Sequence, residues 1–415
     1  MGDNIKKPQI RFKDFPDGWL ETELKNIAEF SKGKGYSKKD LVSDGYPIVL
    51  YGRLYTNYQT LISEVDTFVK ESLTKTIYSQ GGEVIIPSSG ETAEDIVRAT
   101  AVLTKGFILG GDLNILYPRI ELDSVFLAYN ISYSRCRKDL ISKAQGKSVV
   151  HLNNGDIKEV VVVYPITKEQ TQIGNFFKNL DNLIALRQKK YDKLINIKKS
   201  MLEKMFPKEG ADVPEVRFAG FTGPWERKEL GEIMKVTSAS RVHKNEWTNS
   251  GVPFFRSSDV ISEYKGIENR KAFISLKLYE ELSQKSGTVQ KNDLLVTGGG
   301  TIGIPYFVKD NKPIYFKDAD LLWFKKSEFT NSKFIYYYYA TSLFRRYVSM
   351  ITHIGTISHY TVEQARSTPI KVPFLKEQNK IAVFFNCLDN QINLSKQELE
   401  KLKQIKKSFL EKMFV

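Results

Sequence analysis

Cysteine is nearly missing from this chain. Cys136 and Cys387 are the two in 415 residues, far apart and without metal-ligand spacing. That excludes a disulfide framework and fits a reducing, cytoplasmic setting. Histidine is almost as scarce: His151, His243, His353 and His359 are the four, none at a zinc spacing. Long apolar runs are missing too. The best, VVVVY at 160–164, has the length of a buried strand, so no membrane association is expected. The opening MGDNIKKPQIRF has no apolar h-region, so no signal peptide is expected, and Lys at the sixth position does not match a myristoylation pattern.

What is present is positive charge and enough apolar residues for real cores. Lys and Arg total 62 against 48 Asp and Glu, a formal charge of +14, with 41% hydrophobic and 12% aromatic residues. Such a balance favours a polyanionic partner, nucleic acid before an anionic membrane surface, although solubility alone also accounts for it.

The chain also repeats itself. IKKSMLEKMF (197–206) returns as IKKSFLEKMF (405–414), nine of ten letters alike. The phrase closes a longer match, 164–207 against 372–415, ungapped and identical at roughly half its positions. A second match lies upstream. Arg11, Phe12, Phe15, Trp19, Leu24 and Ile27 align with Arg217, Phe218, Phe221, Trp225, Leu230 and Ile233. The chain is thus a tandem duplication, jointed at the Pro- and Gly-containing PKEGADVP, 207–214.

Each closing segment reads as a long helix. Ile173, Phe177, Leu180, Ile184, Tyr191 and Leu194 step by threes and fours, as do Ile381, Phe385, Leu388, Ile392, Leu399 and Leu402. This is a heptad seam, broken once in each copy at the equivalent step, by Arg187 and Ser395. A helix with one apolar seam needs a partner. Pairing within the chain has the higher effective concentration, pairing between two chains is the alternative, and periodicity alone leaves parallel and antiparallel arrangements open. Thr167 and Gln170 are expected to form a capping box, lost in the second copy where Leu375 replaces the Thr. Basic residues such as Lys189, Lys190, Lys198 and Lys199 read as solvated or partner-facing.

The middles, about 28–163 and 234–371, are rich in short β-branched and aromatic runs and read as strand-rich mixed domains. Landmarks correspond: YPIVLYG (46–52) with VPFFRSS (252–258), SSG (88–90) with GGG (298–300), GGDLNIL (110–116) with DADLLWF (318–324). Between landmarks the two are nearly unrelated. The expected fold is α/β (α+β): two mixed, strand-rich domains joined by two long helices that pair with each other, the whole an internal tandem repeat. The expected segments are 1–163, helix 164–206, junction 207–213, 214–371 and helix 372–415.

Catalytic patterns fail one by one. GGGTIG (298–303) formally fits a dinucleotide motif, but a strand-like IPYFV follows where a helix must hold the pyrophosphate, so a glycine hairpin is expected. GKS (146–148) lacks the P-loop glycine, since position 141 is Ile. Pro16, Asp17, Glu23 and Lys25 make a compressed nuclease-like run whose Asp is missing from the second half. There is no Pro-Pro, and so no Asp- or Asn-Pro-Pro-aromatic run of the adenine methyltransferase kind. His151 and His359 hold equivalent places before the closing strands and read as structural or loop residues.

The openings RFKDFPDGW and RFAGFTGPW, the early YPI…YGRLYT and VPFFRSSDV, and the helix-opening P…KEQ…I..FF..LD..I resemble the specificity subunit of type I restriction–modification systems along the whole chain. The resemblance implies a non-catalytic subunit whose middles are target recognition domains. Each would read half of an asymmetric bipartite site on double-stranded DNA, with the two helices forming an antiparallel coiled coil of pseudo-two-fold symmetry that sets the gap. It implies two methyltransferase subunits carrying S-adenosylmethionine, restriction subunits using ATP and Mg, and no cofactor on this chain. Candidate readers are loop side chains able to meet base edges: Tyr51, Arg53, Tyr55, Ser88, Ser89, Lys147 and Ser148 in the first half, and Arg256, Ser257, Ser258, Thr301, Thr356 and Ser358 in the second. A protein scaffold or dimerisation rod without a DNA role is the alternative.

Overall fold

The computed structural model describes residues 7–71, 75–352 and 359–415. The chain divides into two compact units, Met1–Lys189 with Gln397–Val415, and Lys190–Lys396. The division does not follow the expected segments, because it cuts both long helices. Those helices, Thr167–Lys204 and Leu375–Lys412, are 38 residues each, about 57 Å at ~1.5 Å per residue.

Each unit closes its own repeat by pairing its beginning with its end. In the first, strand Leu20–Glu23 runs antiparallel to Val161–Tyr164; in the second, Glu226–Glu229 pairs the same way with Pro369–Val372. The KEQ at each helix start fastens this closure. Arg11 forks onto Glu169 with two 2.7 Å bonds, and Arg217 onto Glu377 at 2.7 and 2.8 Å. Both glutamates are buried.

The expected capping box is not what the glutamine makes. Gln170 donates to the carbonyls of Pro165 and Glu121 and accepts from the Asp123 N–H, at 2.8–2.9 Å. Gln378 repeats this with Pro373 and the Asn331 N–H. The glutamine ties the helix start to the residue that caps an earlier helix, Asp123 of Ser124–Tyr133 or Asn331 of Ser332–Tyr338, so replacing Thr by Leu375 leaves its task unchanged.

Within each unit the helices are antiparallel. In the first, Phe176 meets Phe409 at 5.0 Å between ring centroids, Asp181 meets Lys406, and Arg187 meets Glu398. In the second, Lys198 meets Asp389 and Phe206 meets Phe385. One number rises as the other falls. All twelve seam residues are buried or half-buried. Arg187, at the seam's break, reaches its partner at 3.3 Å, whereas Ser395 is buried.

The repeated LEKMF now has a reason. Met413 and Phe414 sit in the core of the first unit, with Phe414 5.6 Å from Phe126 and 5.7 Å from Phe177. Met205 and Phe206 sit in the core of the second, with Phe206 against Phe334, Phe385 and Trp225. Each phrase fills the unit built around the other repeat's recurring aromatics.

Lys198 is not a free solvated cation. It bonds Asp389 at 2.5 Å over the Tyr337 ring, and Tyr337 donates to the same carboxylate at 2.8 Å. Lys406, Asp181 and Tyr129 form the same trio in the first unit. Burial is the main cause that raises the Tyr129 and Tyr337 phenols far above their ordinary pKa, and the facing aspartates add to it, so both stay donors. Lys406→Ala removes a charge-assisted bond and a cation–π contact, and is expected to cost about 1–2 kcal/mol. An earlier thermal transition of the first unit is the readout; an unchanged melting curve would show that the apolar seam suffices.

The middles share a sheet frame and differ in filling. The first has a five-stranded sheet in the order Ala28–Lys32, Leu113–Pro118, Glu83–Pro87, Thr100–Val102, Leu61–Ile62, and a four-stranded sheet in which Tyr46–Val49 runs parallel to Ile108–Leu109. The second has two four-stranded sheets, and Val252–Phe255 runs parallel to Tyr315–Phe316 in the matching place. Only four residues, Arg53–Thr56, are helical after the first parallel strand, against nine, Ser257–Lys265, after the second.

Candidate nucleic-acid interface

The sheet frame brings the same three loops to one corner in each unit. In the first, the Ser88 N–H donates to the Asp112 carbonyl at 2.8 Å, and the Leu152 N–H to the Ser88 carbonyl at 3.0 Å. In the second, the Gly298 N–H donates to Asp320 and the Tyr360 N–H to Gly298, both at 2.8 Å. Ser88 therefore matches Gly298, Asp112 matches Asp320, and Leu152 matches Tyr360, as the landmarks require. Asp112 and Ala319 both have positive φ, 57° and 61°, a conformation rare for residues with a side chain. GGGTIG is a hairpin as expected: Leu294–Thr297 pairs antiparallel with Pro305–Phe307, and Thr297 closes the loop on Ile304 at 3.0 Å.

The expected readers separate into those that face out and those that do not. Ser89 stands at the first corner, where its carbonyl accepts the Tyr55 hydroxyl. Burial raises the Tyr55 phenol well above its ordinary pKa, so it remains a donor. Tyr51 packs edge-on against Tyr55. Lys147 and Ser148 are exposed on the loop between Gln145 and His151, whose backbones exchange bonds at 3.0 and 2.7 Å. In the second unit Ser257 reaches the corner and donates to the Asp320 carbonyl at 2.9 Å; Ser258 and Thr301 are exposed. Thr356 and Ser358 lie outside the described residues.

Three candidates differ from expectation. Ser88 is 6% exposed, buried beneath the corner rather than presented by it. The Arg53 side chain is 9% exposed and ion-paired with Asp66, whose carboxyl it holds below the ordinary carboxylate range. Arg256 bonds Asp259 at 2.8 Å, which raises its pKa, and donates to the Arg270 carbonyl at 2.6 Å. Strand register also shows that the two arginines are not counterparts. Val49 matches Phe255 in the parallel pairs, so four residues on Arg53 matches Asp259, and Tyr51 matches Ser257.

Sequence reasoning passed over Asp112 and Asp320 and set aside His151 and His359, both exposed at the corner. The shared landmarks and the equivalent histidines were the signal for them. No group of three or more His, Cys, Asp or Glu able to hold a metal occurs among the described residues, and no helix there is long and apolar enough to cross a membrane.

The family model for the type I restriction modification DNA specificity domain matches twice, over residues 16–196 and 223–404. The type I restriction enzyme MjaVIII specificity subunit of Methanocaldococcus jannaschii is 23% identical over 405 residues, 95% of this chain and 92% of that one. The crystal structure of a type I restriction–modification S subunit from M. genitalium superposes with a TM-score of 0.58 at 16% identity, covering 99% of each chain. A chain from a structure describing assembly and conformational transition of the type I system gives 0.51 at 15% identity, over 96% of this chain and 98% of that one. The family match spans most of both repeats, and the duplicated frame it describes is the one seen here: the chain belongs to the type I restriction–modification DNA specificity family.

Proposed function

We propose that this chain is the sequence-reading, non-catalytic subunit of a type I restriction–modification complex, with one half of a bipartite DNA site read by each middle. The observation that carries the reading is a corner built twice by the same backbone bonds and lined by different side chains. Ser89 gives way to Gly299 and Tyr51 to Ser257. A common frame with different contents recognises two different short sequences. Lys and Arg in excess supply the sequence-independent attraction to phosphates.

In this reading two methyltransferase subunits dock along the paired helices and hold S-adenosylmethionine. Restriction subunits bring ATP and Mg. This chain supplies position rather than chemistry, and the complex it directs methylates adenine and cleaves unmodified DNA. The test is a reader exchange. With residues 234–371 replaced by a copy of 28–163, cells carrying the methyltransferase partner should methylate a motif of two identical inverted half-sites. If methylation mapping returns the original second half, the assignment of one reader to each middle is wrong.

A further inference from the structure

We propose that His151 and His359 are equivalent DNA-backbone contacts, one at the same corner of each unit, that seat each half-site irrespective of its sequence. The inference rests on the DNA-recognition reading above.

Position comes first. His151 pairs across a short antiparallel bridge with Ser89. The Leu152 N–H binds Ser88, and the Tyr360 N–H binds its match Gly298, so His359 lies opposite Gly299 as His151 lies opposite Ser89. The His359 ring atoms are the nearest to the place a Gly299 side chain would take, at 3.6 and 3.7 Å. Each histidine is exposed, and each is followed by a fully buried anchor, Leu152 or Tyr360. The backbone beneath the imidazole is therefore fixed while the ring faces out.

The surroundings suit a bulky, smooth partner. The residues opposite and next to each histidine are small: Ser89 and Gly90, Gly299 and Gly300. Gly300 has a φ of +68° and open space where a side chain would stand. Lys147, four residues before His151, is exposed and forms no ion pair among the described residues. Among the described residues neither imidazole has a side-chain hydrogen bond or ion pair, whereas Arg53 and Arg256 are committed to Asp66 and Asp259. An imidazole offers an N–H donor whether neutral or protonated, which is what a phosphate oxygen accepts.

The duplication indicates which part of the DNA is touched. Around the two histidines the halves have diverged: HLNNGDIKEV in one, HYTVEQARST in the other. Residues that read different bases should differ, as Tyr51 and Ser257 do. A residue kept in place in two readers of different sequences meets something common to both half-sites, and the sugar–phosphate backbone is common.

The test uses the chain with its methyltransferase partner and two fluorescent duplexes, one carrying the motif found by methylation mapping and one scrambled. His151→Ala and His359→Ala should each weaken binding about fivefold on both duplexes, and together about 25-fold, roughly one neutral hydrogen bond apiece. The methylated motif and the melting temperature should stay as they are, and His151→Asn, which keeps a donor, should recover part of the loss. Unchanged affinity in both variants would overturn the proposal. So would a motif relaxed at one base position, which would make the histidine a base reader, or loss of the methyltransferase from the complex, which would make it a protein contact. A parent complex that binds both duplexes equally would instead defeat the recognition reading itself.

Discussion

Glu169→Ala is expected to destabilise the first unit by about 3–5 kcal/mol and leave the second intact. The carboxylate is fully buried and takes both arms of Arg11, whose side chain is 13% exposed. Removing it strands a guanidinium that has lost most of its water, and the stranded charge, rather than the lost bond, makes up most of the penalty. Arg11 also donates to the Asp17 carbonyl at 2.5 Å, so the opening segment loses its hold together with the salt bridge. The Leu20–Glu23 strand should then fray from Val161–Tyr164, and Trp19 should leave the core it shares with Phe126. Limited proteolysis followed by mass spectrometry is the measurement. Early cuts should fall between residues 7 and 163, while fragments of Lys190–Lys396 persist. Glu377→Ala should give the mirror pattern, because Arg217 is held in the same way. The pair Arg11→Met with Glu169→Leu should recover much of the stability, since replacing both partners strands nothing. Equal sensitivity of both units to Glu169→Ala would show that they do not unfold independently.

Arg11 and Glu169 also show what was legible in the sequence. They stand 158 residues apart, and each belongs to a phrase written twice. The repeated letters proved to be the closure contacts: Arg of RF with Glu of KEQ, Gln of KEQ with the cap of an earlier helix, Asp of LD with Tyr and Lys. Heptad periodicity located the long helices because a seam buried along its length must recur at the helical repeat. It did not say where each helix ends up. Met205–Phe206 and Met413–Phe414 read as helix ends, yet each pair is core, because a short apolar phrase carries no record of which cavity it fills. The candidate readers were least legible. Ser88 and Ser89 are neighbours in one SSG, yet Ser88 is buried at the bend after strand Glu83–Pro87, whereas Ser89 opens the short strand Ser89–Gly90 and is half-buried at the corner. Arg53 looked free because its partner Asp66 stands thirteen residues away, where the two halves no longer align. The frame was written twice and could be checked against itself, whereas the contents were written once each.

In the recognition reading proposed above each frame carries its own reader, and both long helices run from one unit into the other, so helix length should be written into the DNA motif. The two units divide the helices at Lys189 and Lys190, and at Lys396 and Gln397. One heptad inserted at each of these points keeps the seam in phase and leaves the contacts inside each unit as they are, including Arg187 with Glu398 and Lys198 with Asp389. Seven residues add roughly 10 Å of helix, and DNA rises ~3.4 Å per base pair, so the unread gap should grow by about three base pairs. The read bases should not change, because neither corner is touched. Three base pairs also turn the duplex by about 100°, given ~10.5 pairs per turn. The lengthened chain must therefore twist or bend its DNA, at a cost of a few kcal/mol, and should methylate more slowly than the parent. Insertion in one helix alone is the sharper control. The seams then no longer match in length, so either a heptad loops out or one unit loses the Met–Phe pair that completes its core, and activity should fall much further. Methylation mapping decides the matter. A doubly lengthened chain that still modifies the original gap would show that the helices hold the units without measuring the distance between half-sites.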